Sequence, residues 1–195
     1  MSTTLNSSML CAAPLESATS LEQRFSLFGV GPPHPVKCSA VGVSCTCERC
    51  TQWENFIRRG GSHGDPQYLI PTINLVDTLA SRLRDEQAAS GASPLRVLEV
   101  GAGDGRLAQH LNAALAATQV TIIATDSYER NLRSADGANV LHADVVSALA
   151  DYSPHVVICA FMPLGVDWTA HFRQTTSVRE YVLLGEVDDG CCGRP

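Results

Sequence analysis

The sequence predicts an α/β protein, a doubly wound parallel sheet with helices on both faces. Two observations predict it. From residue 66 onward, short apolar runs alternate with stretches patterned at helical spacing, and strands separated by helices make a parallel sheet. The first of those runs, Leu95 to Val100, leads straight through a glycine-rich loop into a helical pattern. Doubly wound sheets place their ligands in that kind of loop, beyond the carboxyl ends of the strands. The 195 residues, 45% hydrophobic and 17% charged, suffice for a real core and exclude wholesale disorder.

The elements follow in order. Pro71 stands where a helix start tolerates proline, and Ile73, Val76, Leu79 and Leu83 recur at helical spacing to about residue 89. Ser90-Gly91-Ala92-Ser93-Pro94 breaks that helix. Leu95–Val100 is the first strand, and Leu107, Leu111 and Leu115 form the stripe of the next helix. Gln119–Thr125 reads as the second strand and Ser127–Ala135 as a short helix. Asn139–His142 is a third strand, Val145–Tyr152 a helix, and His155–Phe161 a fourth strand apolar enough to be buried on both faces. Thr169–Ser177 can form a helix, and Glu180–Val187 is a fifth strand.

Ahead of this domain, residues 1–30 are rich in Ser and Thr and read as a disordered, solvated leader. Residues 31–65 form a Cys-rich lid or docking segment, with a helix over Gln52–Arg59 and a loop from Gly60 to Pro66. The α/β domain is residues 66–195. Within the segment Cys38, Cys45, Cys47 and Cys50 are spaced C-x6-C-x-C-x2-C, with His34 and His63 nearby. Four thiolates can enclose a structural zinc, and the alternatives are a loop of unused thiols or oxidative pairing. The chain opens with no signal-peptide pattern, so its eight cysteines point to a reducing, intracellular, cytoplasmic setting. The charge of −6 argues against broad nucleic-acid binding. No apolar run approaches the roughly 20 residues of a membrane span.

The loop is Glu99-Val100-Gly101-Ala102-Gly103-Asp104-Gly105-Arg106. A dinucleotide fingerprint, G-x-G-x-x-G, would need its last glycine where Arg106 stands. The spacing is G-x-G-x-G, preceded by an acid. Glu99 and Asp104 would repel a pyrophosphate and favour a cation, which sets a nicotinamide-dependent oxidoreductase aside.

On these residues the chain resembles the class I S-adenosylmethionine-dependent methyltransferases, whose first motif is E/D-x-G-x-G-x-G. The resemblance covers residues 66–190 and implies a Rossmann-like fold and S-adenosylmethionine as cofactor. It implies that Glu99 holds the amino end, and that Gly101, Ala102, Gly103 and Gly105 bring backbone against the methionine moiety. Asp126, ending the second strand, would bind the ribose, with a helix cap as its other possible role. Asp144 and Val145 would meet the adenine, and Asp144 also reads as a cap for its helix. Tyr68, just before the first helix of the domain, would offer its ring to the sulfonium. Trp53 and Phe56 would dock the preceding segment onto the sheet.

The acceptor is not legible. Amino-acceptor enzymes of the family carry N/D-P-P-Y/F after the fourth strand, and this chain has Pro163 there but Phe161 in place of the acid or amide. Asp167 is the nearest candidate catalytic base, with His142, His155 and His171 behind it. The family fold continues past the fifth strand, so the chain reads as C-terminally truncated, or as one whose apolar edge Val182-Leu183-Leu184 is covered by a protein partner. The alternative function is a non-catalytic binding or scaffolding protein on a degenerate methyltransferase fold.

Overall fold

The computed structural model describes residues 15–25, 48–59, 64–65 and 67–185. The elements are α1 (Ala18–Phe25), α2 (Glu48–Arg59), α3 (Ile73–Ser90), β1 (Leu95–Val100), α4 (Arg106–Ala114) and β2 (Val120–Asp126). β3 (Val140–His142), α5 (Val145–Tyr152), β4 (Val156–Ala160), α6 (Thr169–Gln174) and β5 (Glu180–Leu184) complete them. The strands form one five-stranded, all-parallel sheet in the order β3-β2-β1-β4-β5.

Period-two alternation along the buried strands builds both layers. Leu95 and Val97 of β1, with Val156 and Ile158 of β4, pack against α3 and α4. Leu98 and Val100, with Val157 and Cys159, pack on the opposite face against Leu149 of α5 and Phe172 of α6. Helices on both faces make the sheet doubly wound. In α3 the buried stripe is Val76, Leu79, Ala80 and Leu83. Its cap is Thr72, whose hydroxyl accepts the Leu75 amide at 3.2 Å, so Pro71 lies before the cap rather than in the first turn.

Two expectations are corrected. Part of the leader is ordered against the domain: Leu21 of α1 is buried, the Ala18 amide donates to Asn74 Oδ1 at 3.0 Å, and the Ile73 amide donates to the Glu16 carbonyl at 3.0 Å. The expected helix over Ser127–Ala135 is absent. Tyr128 and Asn131 take left-handed φ values of 58° and 51°, which stop a right-handed helix. The Tyr128 amide bonds Asp126 Oδ1 at 2.7 Å and its hydroxyl donates to the Val140 carbonyl at 2.8 Å, so the connection is pinned as turns. At the far edge β5 pairs with β4, and Leu183 stands half exposed. No helix among the described residues is long and apolar enough to cross a membrane.

Gly105 has a structural task that its motif does not announce. It caps α4 at φ 78°, and a Cβ there would collide with the Val140 side chain of β3. Gly105→Ala should therefore lower stability by on the order of 2 kcal/mol or more, from the left-handed backbone and the clash together. Chemical denaturation checks this; an unchanged midpoint would contradict the close α4–β3 approach.

Candidate functional site

In the order β3-β2-β1-β4-β5 the connection from β1 runs to one side and that from β4 to the other, so the switch point lies between β1 and β4. Loops leaving these two neighbours diverge there and open a crevice. A cleft of ≈ 1040 Å³ lies at that place, lined by residues that follow β1, β2, β3 and β4 and by the segment ahead of α3.

Glu99 forms its floor. Alternation along β1 turns this side chain toward the α4 face, where it is 2% exposed. Its carboxyl meets the Ala108 backbone amide of α4, while Oε2 has no hydrogen-bond partner among the described residues. Burial pushes its pKa up to about 8, and the nearby charges of Asp104 and Asp126 push in the same direction. An unpartnered buried acid is costly to keep, and such groups gather at functional sites.

Above it the loop leaves β1. Gly101 and Gly103 take φ 62° and 57°, and both line the cleft with Ala102. The Ala102 amide donates to the Thr125 carbonyl at 3.0 Å, and the Gly103 amide donates to Asp126 Oδ2 at 2.8 Å. Asp126 thus joins the loop to the end of β2 with one oxygen and starts its own turn with the other. Each carboxylate oxygen keeps a second acceptor site. Asp104 is paired with Arg106 at 2.7 Å. Gly105 is absent from the cleft lining and faces β3 instead, so it is a packing glycine and not a wall of the cleft.

Asp144 caps α5: Oδ1 accepts the Val146 and Ser147 amides at 2.9 and 3.0 Å, and Oδ2 accepts the Ser147 hydroxyl at 2.7 Å. These bonds hold its pKa below the ordinary carboxylate range. Asp144 and Val145 both line the cleft. Asp167 does not. It accepts the amide and hydroxyl of Thr169 at the start of α6, as a turn-forming carboxylate. Of the three histidines considered as bases, His171 lines the cleft. His155 lies at the opposite end of the sheet, where its Nδ1 accepts the Arg96 amide at 3.1 Å and burial lowers its pKa.

Tyr68 lines the cleft half exposed, but a protein cation already meets its ring. The Arg130 guanidinium lies 5.4 Å from the ring centroid and donates to the Tyr68 hydroxyl at 3.3 Å. Tyr68 thus already carries one cation–ring contact within the protein while lining the same cleft as Glu99 and Asp126. Trp53 has no described side chain. Cys38, Cys45 and Cys47 lie outside the described residues, and only the backbone of Cys50 is described, within α2.

Sequence reading missed Trp168 and Phe161. The Trp168 indole packs on Gly101, with Cζ3 3.3 Å from where a Cβ would stand. Phe161 takes φ 55°, rare for a bulky residue, immediately after β4. A tryptophan and a phenylalanine following the fourth strand were the available signal. No protein-family model matches the chain, and no curated protein matches it.

Proposed function

We propose that the chain binds S-adenosylmethionine in this cleft and acts as a methyltransferase. One observation carries the reading: Glu99 Oε2 is buried and unpartnered beneath two glycines whose backbones face the cleft. Those residues fit the group. An ammonium meets Glu99, a ribose meets Asp126, and the loop backbone at Gly101 and Gly103 lines the cleft beside them. A pyrophosphate in the same place would face the carboxylates of Asp104 and Asp126, against Coulomb's law. Bound there, the molecule supplies a sulfonium-activated methyl group. Glu99 orients its amino end, Asp126 its ribose, and Val145 packs on its base beside Asp144. The chain's contribution to rate is then the positioning of an acceptor against that methyl.

Thermal unfolding tests the ligand class. S-adenosylmethionine and S-adenosylhomocysteine at about 100 times their dissociation constant should each stabilise the chain by about 2.7 kcal/mol, and NAD should not. Stabilisation by NAD alone would move the site to a dinucleotide oxidoreductase and end this reading.

A further inference from the structure

The residues assigned above occupy the cleft where β1, β2 and β3 end. The rest of its wall has different chemistry. Phe161, Met162, Leu164 and Trp168 contribute an apolar surface after β4. Exposed large hydrophobic side chains among the described residues are Tyr68, Ile73, Val146, Leu164 and Leu183, and three of them, Tyr68, Val146 and Leu164, rim this one opening. Leu164 is 65% exposed and Tyr68 49%. Single exposed apolar residues are ordinary, but a contiguous apolar rim around a concavity marks a binding surface.

Charged side chains also line the cleft, among them Arg58, Asp65, Glu129 and Arg130. Arg130 rests on the Tyr68 ring, and among the described residues no carboxylate meets it. Arg106, by contrast, is already paired with Asp104. The Phe161 amide donates to the Leu184 carbonyl at 2.8 Å, which fixes the strained turn that carries Met162 to Leu164 across the mouth. An apolar wall and a guanidinium held on an aromatic ring thus line one cleft.

We infer that the outer part of this cleft binds a flat apolar molecule bearing one anionic group, an aromatic carboxylate in chemical class. Its ring lies against Trp168 and Leu164, and its carboxylate pairs with Arg130. Under the methyltransferase reading, on which this last step rests, that molecule is the methyl acceptor. The chain's charge of −6 agrees with a small acceptor and not a nucleic acid.

The experiment is a calorimetric titration of the full chain with 2-naphthoate and with its neutral isostere 2-naphthamide, with and without S-adenosylhomocysteine. Wild type should bind the carboxylate about fivefold to tenfold more tightly than the amide. Arg130→Gln should abolish that preference and leave amide binding unchanged. Leu164→Asp, at an exposed position that does not threaten the fold, should weaken both by about tenfold. Equal affinity for the two probes, no binding of either, or equal loss of both in Arg130→Gln would overturn the inference. Naphthoate binding by a chain that ignores S-adenosylmethionine would retain the anion pocket and remove its assignment as an acceptor site. S-adenosylmethionine binding without naphthoate binding would overturn the pocket alone.

Discussion

Glu99→Gln should make the protein more stable at pH 8 while weakening its binding of S-adenosylmethionine. The folded chain holds the Glu99 proton up to about 8, whereas an unperturbed glutamate releases it near 4.5. A carboxyl with a raised folded pKa contributes stability that is fully present below the unfolded value. That contribution is lost as pH rises toward the folded value. Wild type should therefore lose stability from pH 4.5 to about 8, by a total on the order of 5 kcal/mol, and then level off. Glutamine cannot ionise, so the variant should lack this component of the slope. His110 and His155, whose pKa values burial lowers, act in the opposite sense below about pH 6.5, and they cancel in the comparison of the two proteins. Urea denaturation from pH 5 to pH 9 reads the difference directly. Parallel curves would show that the Glu99 carboxyl does not titrate in a dry site. The binding half of the prediction follows from charge. A ligand ammonium lowers the cost of ionising Glu99, and an amide cannot pair with it, so affinity should fall about tenfold to 100-fold.

Asp126→Ala should weaken S-adenosylmethionine by about 10- to 100-fold, because two losses coincide. The carboxylate accepts the Gly103 amide at 2.8 Å and the Tyr128 amide at 2.7 Å, so it fixes both the loop and the turn after β2. Its remaining acceptor sites are those offered to ribose hydroxyls, and hydrogen bonds to a charged group contribute about 1.5–3 kcal/mol each. Asp126→Asn keeps one acceptor oxygen and should recover part of the loss. Adenosine separates the two effects. If Asp126→Ala weakens S-adenosylmethionine but leaves adenosine untouched, the residue acts only through the loop and the ribose contact is wrong.

The fold was legible because its strongest signals are local. The helical spacing of Val76, Leu79 and Leu83, and the apolar runs Leu95–Val100 and Val156–Ala160, reflect burial that tertiary context only reinforces. The floor and loop of the cleft were legible for the same reason, since Glu99, Gly101 and Gly103 are neighbours in sequence. Gly105 shows the limit of a motif. Its spacing treats it like the other two glycines, but the approach of α4 to β3 sets it against Val140, and that approach is a tertiary fact. The turn at Tyr128 was hidden likewise: a side-chain bond to a carbonyl twelve residues on, at Val140, decides against the helix that composition suggests. The mouth was the least legible part. Tyr68 and Arg130 are 62 residues apart and meet only because the β2–β3 connection and the segment ahead of α3 converge on one cleft. Asp167 lies outside the cleft lining because nearness to the fourth strand does not fix direction, and its bonds to Thr169 place it at the start of α6.

Calorimetric titration of S-adenosylmethionine into wild type, Gly103→Arg and Asp126→Ala bears most directly on the proposed site. Gly103 lines the cleft at φ 57°, and a Cβ there would stand 3.4 Å from Leu132 Cδ1, another cleft residue, so an arginine at this position crowds the cleft. Wild type should bind one equivalent, Asp126→Ala should bind more weakly, and Gly103→Arg should give no measurable heat while remaining folded by circular dichroism. Equal binding by all three proteins would contradict the site, and absence of binding by folded wild type would contradict the proposed function itself.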